Sequence, residues 1–430
     1  MTLPTTADVV VIGGGIVGST TAGAIARRGQ SVVLIEKEAG PAREGSGRAQ
    51  GSLRVQGRHA AEFPLAVESL ELWKAAADEG NFEFVQGGNL YMQTSEAERS
   101  VLEHLVAEAH KSGLTDVTLL DADQTRELVP GATGSFYGAM WSPIDAQAQP
   151  DTSTKFFAAQ AERAGAMLCF GVKALKLEVL RGGMYAVHTS AGIINTERVV
   201  VACGVWTPHI ARTAGLRVPV MPVVMSELET APLPPILGPT IRAFGFGARQ
   251  RPNGRTVVSA GLNAKVGHGL SFADTNGLRY WLPRAMSFRK ALKLSIDVPK
   301  IMSQVRHGKA IDPRLVPDTS PEPTVDRKLV EDSLDRMSGF IPAFREAKIS
   351  RYWAGLVDMT PDGLPIIDGN LGIDGLTIIT GLAGHGWHLG PVLGEIGAEL
   401  ALDGVTTRPI ETFSLERFSS GKVDSPEMMI

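Results

Sequence analysis

Residues 8–18 read DVVVIGGGIVG, and this stretch decides how the N-terminal region folds. The β-branched run Val9 to Ile12 predicts a short strand, and the residues after it keep helical spacing as far as Arg28. Gly29 ends that helix, and Ser31 to Ile35 reads as a second strand. The three segments together predict a strand–helix–strand unit, which is the opening of a parallel sheet.

The glycines that follow the first strand have the spacing G-x-G-x-x-G. Gly13 permits a tight turn, Gly15 lets backbone N–H groups approach a pyrophosphate, and Gly18 lets the helix lie close to the strand. Glu36 ends the second strand, where a carboxylate accepts hydrogen bonds from ribose hydroxyls. A glycine-rich turn without a ligand is the alternative, and the strand, helix and acidic residue in place disfavour it.

The motif therefore predicts a site for the ADP half of a dinucleotide. The residues expected to contact it are Gly13, Gly15, Ile16, Val17, Gly18, Glu36 and Lys37. Because FAD and NAD share this half, the motif alone does not distinguish them. A second strand-linked G-x-G-x-x-G for NAD(P)H is absent from the sequence, which disfavours a pyridine-nucleotide reductase.

Four further segments point to a flavin. They are GSGRAQGSLR at 45–54, VVVACGVW at 199–206, TPDG at 360–363 and GHGWHLGP at 384–391. In sequence and order they resemble the D-amino acid oxidase, glycine oxidase and sarcosine oxidase superfamily of FAD-dependent oxidoreductases, most of all sarcosine dehydrogenase and the β subunits of proline and opine dehydrogenases. The resemblance spans nearly the whole chain.

This resemblance implies a bound FAD and a further set of contacts to it. Val172 is expected on the strand after the helix at 152–164, where its backbone reaches the adenine. The other implied contacts are Ser46, Gly47, Arg48, Gln50, Gly51, Ser52, Cys203, Gly204, Trp206, Gly384, His385, Gly386, Trp387 and His388. The sarcosine oxidases attach flavin to a cysteine in the C-terminal third, whereas Cys169 and Cys203 lie earlier, so we expect non-covalent FAD.

The last segment also carries a physical argument. Its glycines precede Pro391, which we expect at the start of a helix, so free N–H groups and the positive end of a helix dipole point to one place. A reduced flavin carries negative charge that such donors stabilise. A capped surface helix is the alternative.

The resemblance also implies a substrate: an amine or amino acid whose C–N bond is oxidised to an imine. Many amino-acid oxidases of this superfamily carry an arginine just before T-P-D-G, whereas GLVDM stands at 355–359 here, which favours N-substituted amines. Three catalytic candidates follow: His388, where the sarcosine oxidases hold the substrate carboxylate with lysine; Lys265, in the position of their oxygen-activating lysine; and Arg58, near flavin or substrate. A helix-cap histidine and an exposed lysine are the alternatives for His388 and Lys265.

The motif order predicts an α/β protein with a discontinuous, Rossmann-like FAD-binding domain and a mixed β-sheet substrate domain. The expected FAD-binding segments are 1–85, 150–215 and 340–430, and the substrate domain takes 86–149 and 216–339. A net charge of −4 over 430 residues, without long runs of one sign, disfavours nucleic acid as a partner.

The remaining sequence features set expectations for location and partners. Without a signal peptide, an integral membrane segment or a metal-binding cysteine pattern, the sequence predicts a cytoplasmic location and no metal. The expected partners are a small-molecule amine or amino acid and either oxygen or an electron carrier, and the sequence leaves an oligomer open. The alternative function is a flavoprotein subunit of a hetero-oligomeric dehydrogenase that needs partner chains for activity.

Overall fold

The computed structural model describes residues 3–260, 266–272, 274, 278–282, 292–308 and 311–420. The strands are β1 Val9–Ile12, β2 Val32–Glu36, β3 Ser52–Leu53, β4 Phe84–Val85, β5 Asn89–Gln93, β6 Thr118–Asp121, β7 Gly138–Ser142, β8 Ala146–Ala148, β9 Met167–Phe170, β10 Ala174–Val179, β11 Tyr185–Thr189, β12 Gly192–Thr196, β13 Arg198–Val201, β14 Met221–Thr230, β15 Thr240–Ala243, β16 Phe246–Gln250, β17 Thr256–Ala260, β18 Val266–Leu270, β19 Leu292–Ile296, β20 Ile349–Met359, β21 Ile366–Asp368 and β22 Leu376–Thr380. The helices are α1 Ile16–Arg27, α2 Phe63–Glu79, α3 Arg99–Lys111, α4 Ala122–Leu128, α5 Pro150–Arg163, α6 Thr207–Ala211, α7 Leu278–Trp281, α8 Val298–His307, α9 Arg327–Phe340, α10 Gly386–Asp403 and α11 Arg417–Ser420.

One sheet is mostly parallel and has the order β21-β22-β13-β1-β2-β9. Val9–Ile12 pairs in parallel with both Val32–Ile35 and Arg198–Val201, and only β21 runs antiparallel. Every residue of β1 is buried, as expected for a central strand covered on both faces. The predicted βαβ opening is confirmed.

Helices α1 and α10 cross unusually closely on this sheet. A Cβ added to Gly390 would lie 2.7 Å from Ile16, and one added to Gly394 would lie 2.4 Å from the hydroxyl of Thr20. The same hydroxyl donates to the carbonyl of Gly390 at 2.8 Å. Small residues therefore let the two backbones approach. The N-termini of both helices face the same side of the sheet.

The second large sheet is mixed and has the order β19-β18-β14-β17-β16-β15-β5-β7-β6, with β20 paired to the other side of β14. Along β14, β17, β16 and β15 the pairing is antiparallel, and β15 pairs in parallel with β5. The predicted fold class, α/β with a Rossmann-like domain and a second mixed sheet, is confirmed.

The strand at 349–359 pairs with β14 in the mixed sheet, and the domain bounds, with an FAD-binding segment from 340, stay a prediction. Two sequence expectations about local structure need correction. Helix α10 begins at Gly386, so Pro391 lies inside the helix and not at its start. Val172 follows β9, which ends at Phe170, after the left-handed turn at Gly171.

No helix among the described residues is both long enough and apolar enough to cross a bilayer. The hydrophobic core instead packs α1, α2 and α10 against the parallel sheet, and α9 against the mixed sheet.

Candidate active site

A cavity of about 430 Å³ lies between the carboxyl ends of the parallel strands and one face of the mixed sheet. Its wall contains the N-termini of α1 and α10, the loop after β2 and strands β14, β15 and β17. The predicted cofactor residues that line it are Gly13, Gly15, Ile16, Val17, Glu36, Lys37, Ser46, Arg48, Gln50, Val172, Cys203, Gly204, Trp206, Gly384, His385, Gly386 and Trp387. Segments far apart in sequence therefore meet in one space.

The N-terminus of α1 is open toward the cavity. Its N-cap is Gly15, which has no side chain to cap the first N–H groups of the helix. A Cβ at Gly15 would lie 3.0 Å from Ser46 Oγ. Ser46 Oγ accepts a hydrogen bond from the Ile16 N–H at 3.0 Å. Gly18 lies behind the wall, where an added Cβ would come 1.9 Å from the Gly13 carbonyl oxygen. These glycines build the cradle that a pyrophosphate requires.

Glu36 stands at the end of β2 and faces the same space. Its carboxylate accepts hydrogen bonds from the N–H of Gly14 at 2.6 Å and from the N–H of Glu38 at 2.8 Å. Burial raises the pKa of Glu36, and these two backbone donors oppose that shift. Each carboxylate oxygen has a further lone pair, so the group still accepts from ribose hydroxyls.

A polar network closes this end of the cavity. Lys37 Nζ contacts Glu38 at 2.7 Å, Glu44 at 3.0 Å and Ser320 Oγ at 2.6 Å. The indole N–H of Trp206 donates to Glu44 at 3.0 Å. Ser320 belongs to the Pro- and Asp-rich segment at 312–326. Part of that segment covers this side of the cavity.

Three predicted residues of the second flavin segment shape the backbone and do not line the wall. A Cβ on Gly47 would lie 1.8 Å from the Ala42 carbonyl oxygen, and one on Gly51 would lie 2.5 Å from that of Ala148. Ser52 on β3 pairs with Gln147 on the antiparallel strand β8. Their role is to bring Ser46, Arg48 and Gln50 to the cavity.

The N-terminus of α10 forms the opposite part of the wall. Gly384 has a left-handed backbone, and His385 is the N-cap without a side-chain hydrogen bond to the helix. The Nδ1 atom of His385 lies 3.0 Å from the buried Glu62 carboxylate, and its Nε2 atom lies 3.4 Å from Arg54. A neutral ring fits both contacts, because Nδ1–H donates to the carboxylate and Nε2 accepts from the guanidinium.

The charges around His385 agree with that protonation state. Burial lowers the pKa of His385, the Glu62 carboxylate opposes that shift, and the guanidinium groups of Arg58 and Arg54 add to it, so that the net direction is downward. Although burial opposes ionisation of Glu62, His385, Arg58 and Arg54 bring its pKa to about 2. At neutral pH we therefore assign an ionised Glu62 and a neutral His385.

His388 and Arg58 do not reach the cavity wall. His388 is 2% exposed and Arg58 is 6% exposed, and neither lines the cavity. His388 Nδ1 lies 2.8 Å from Arg58 Nη2 and 2.9 Å from the Arg54 carbonyl oxygen. The expected direct contact with the substrate does not fit this placement, since both side chains stand behind Arg54. Lys265 lies outside the described residues.

The mixed sheet supplies wall residues that sequence reasoning missed. Arg242 on β15 lines the cavity, and its side chain makes no hydrogen bond or ion pair with any part of the chain that the structure describes. Glu227 on β14 and Ser259 on β17 line it as well. Single polar residues in otherwise apolar strands were the only signal for them, and no motif surrounds them.

The position where amino-acid oxidases often carry arginine holds Val357 and Asp358, and both line the cavity. Asp358 accepts a hydrogen bond from the Gly381 N–H at 2.7 Å and another from the Thr380 hydroxyl at 3.3 Å. Its role is therefore to fix the turn after β22. Guanidinium groups reach the cavity wall from other segments, among them Arg54 and Arg242.

Comparisons with known proteins agree with this geometry. Glycine oxidase from Bacillus licheniformis is 25% identical over 424 residues, covering 95% of this chain and 97% of that protein. Sarcosine oxidase subunit beta from Rhizobium meliloti is 23% identical and covers 96% and 89% of the two chains. The solved structure of L-amino acid deaminase from Proteus myxofaciens matches with a TM-score of 0.85 at 23% identity, covering 97% of this chain and 95% of that one.

A match to a protein family covers residues 8–400, which includes both helix N-termini, the Glu36 carboxylate and the mixed-sheet wall. The chain belongs to the DAO family of FAD-dependent oxidoreductases.

Proposed function

We propose that this FAD-dependent enzyme oxidises the C–N bond of an amino acid or N-substituted amino acid to an imine, which water then hydrolyses. The observation that carries the proposal is Arg242, a guanidinium on the cavity wall without an anionic partner among the described residues. An unpaired buried cation is costly unless a ligand compensates it, and a substrate carboxylate is the matching anion.

Bound FAD supplies the hydride acceptor for this reaction. The glycine cradle at Gly13 to Gly18, with Glu36 and the α10 N-terminus, would hold it. The chain's own residues then bind and orient the substrate: Arg242 and Arg54 face its carboxylate, and the neutral His385 ring packs beside it. An amine that arrives uncharged needs no strong base, so this positioning is the main contribution of the protein.

Under this proposal His388 and Arg58 are positioning residues, because they hold the backbone and side chain that precede the wall. Lys265 remains our candidate for assisting oxygen. We also propose that FAD is bound without a covalent bond and that the protein works in the cytoplasm.

Anaerobic mixing tests the proposal. The purified yellow protein is mixed with sarcosine, other N-methylated amines, proline, D- and L-amino acids and opines, and the flavin absorbance at about 450 nm is followed. Bleaching by carboxylate-bearing amines, and not by the matching amines without carboxylate, is the expected result. Admitting air and assaying hydrogen peroxide then distinguishes oxygen from a carrier as the acceptor.

A second candidate function has one specific observation in its favour. Large apolar side chains that are exposed cluster between residues 270 and 305, and they are Leu270, Phe272, Leu278, Leu282, Leu294, Ile296, Val298, Met302 and Val305. Such a patch is typical of an interaction surface. It favours a flavoprotein subunit that needs partner chains, and a holoprotein that no compound in the panel bleaches would support this candidate over the first.

A further inference from the structure

A row of directly paired residues crosses the mixed sheet beneath the cavity. Glu227 pairs with Ser259, Ser259 with Gly247, and Gly247 with Arg242. Paired residues on neighbouring strands project from the same face of a sheet. Glu227, Ser259 and Arg242 accordingly all line the cavity.

The spacing of the strands sets the distance between the two charged members. Three strand intervals separate Glu227 from Arg242, and at about 4.8 Å each they place the two backbones roughly 14 Å apart. Gly247 has no side chain to fill the middle, and an added Cβ would lie 2.8 Å from Ser259 Oγ and 3.2 Å from Gln50 Nε2. The acidic and basic ends therefore stand apart on one wall and do not pair with each other.

The residues that the structure describes satisfy the Glu227 carboxyl only in part. Glu227 is 5% exposed, and its Oε2 atom is buried without a hydrogen bond to any described residue. Burial raises the pKa of Glu227 to about 8, and the charge of Arg249 opposes that shift only in part. The Arg249 guanidinium is already held by the carbonyl of Gln50, by Gln149 at 2.9 Å and by Glu83 at 3.5 Å. A cationic ligand beside Glu227 would favour its ionised form. A buried carboxyl that lines a cavity and lacks a donor is a group that a ligand would satisfy.

We propose that Glu227 binds a cationic nitrogen of the substrate at a distance from the carboxylate that Arg242 binds. The substrate class is then an amino acid with a basic side chain, whose distal nitrogen is the cation while the C–N bond of its α-amine is oxidised, and not glycine or alanine. Ser259 Oγ beside Glu227 offers a second acceptor for the same nitrogen. This inference rests on the proposed function, because it assumes that Arg242 takes the carboxylate.

The test measures binding and needs no turnover. Hexanoate and 6-aminohexanoate differ by one terminal ammonium, and each is titrated into the FAD-loaded protein while the visible spectrum of the flavin is recorded. We expect the wild type to bind 6-aminohexanoate about tenfold more tightly than hexanoate, the range of one charge-assisted hydrogen bond. In Glu227→Gln the two affinities should agree within about twofold, whereas Glu103→Gln on the exposed face of α3 should keep the wild-type ratio.

Two results would overturn the inference: equal binding of both ligands by the wild type, or a preference that survives in Glu227→Gln. The FAD content of each variant is measured alongside, and Glu227→Asp gives a second carboxylate variant if Glu227→Gln does not fold. Rapid flavin reduction by glycine and alanine with no preference for basic amino acids would leave the proposed function intact and sink this inference alone. Failure of every carboxylate to perturb or bleach the flavin would remove both.

Discussion

The two walls of the cavity are built by different means. On the parallel-sheet side, short contiguous segments present backbone N–H groups and glycines, as at Gly13 to Gly18 and at Gly384 to Gly386. On the mixed-sheet side, single side chains from separate strands do the work, as Arg242 and Glu227 illustrate. The first wall tolerates almost no change in backbone shape, whereas the second exchanges one side chain without altering the fold.

The largest expected effect comes from breaking the backbone wall. Gly15→Asp adds a side chain whose Cβ would lie 3.0 Å from Ser46 Oγ. Its negative charge would also repel the pyrophosphate at the N-terminus of α1. We expect FAD affinity to fall by at least about 100-fold, since steric exclusion and charge repulsion add. The ratio of flavin to protein absorbance after gel filtration reports the loss.

Gly29→Asn is the matched control for that variant. Gly29 ends α1 with a left-handed backbone, and nothing lies within 4 Å of an added Cβ. Asparagine tolerates this conformation, so FAD content should remain at the wild-type level. Full retention of flavin by Gly15→Asp would contradict the cradle assigned to the α1 N-terminus.

A smaller effect, confined to the substrate, is expected from the side-chain wall. Arg242→Leu removes the unpaired guanidinium, and kcat/KM for the best amino-acid substrate should fall by about 100-fold, within the range for truncating one partner of a buried ion pair. FAD content should not change, because Arg242 lies across the cavity from the glycine cradle. Arg99→Leu on α3 is the control, since the Arg99 side chain is exposed.

Stopped-flow reduction over a range of substrate concentrations separates binding from chemistry in Arg242→Leu. A loss carried mainly by the apparent dissociation constant agrees with carboxylate binding. If affinity for the carboxylate stays at the wild-type value, Arg242 does not bind it. The role assigned to the side chains of the mixed-sheet wall would then be wrong.

The same contrast explains how much the sequence predicted. Gly13, Gly15, Gly18 and Glu36 could be placed because their roles follow from local backbone geometry, and local geometry is written in contiguous residues. Arg242 could not be found, because its function depends on the pairing of β15 with β16 and β5, which is set by contacts between strands far apart in the chain.

His388 and His385 show the same limit within one motif. The resemblance placed both near the flavin and made His388 the substrate contact, yet only His385 lines the cavity. Helix α10 begins at Gly386, two residues before His388, and this early start turns the His388 ring toward Arg58 and away from the cavity. The helix starts five residues before Pro391, and the pattern of proline and glycine does not specify the start to that precision.

The smallest effect should come from Cys203, a side chain within the backbone wall. Burial raises the pKa of its thiol to about 12, so the neutral thiol persists at every pH below that value, and the thiolate that attacks other groups is scarce at neutral pH. Its thiol lies 3.6 Å from the Thr207 hydroxyl, which is a weak contact. We therefore expect Cys203→Ala to change FAD affinity by less than about threefold. The buried Cys169 provides the control, and we expect an equally small change in Cys169→Ala. Acid precipitation of the wild type should release all the flavin into the supernatant. If flavin instead stays in the wild-type pellet and is absent from the Cys203→Ala pellet, Cys203 forms a covalent bond to it. One side chain would then control cofactor binding on the backbone wall.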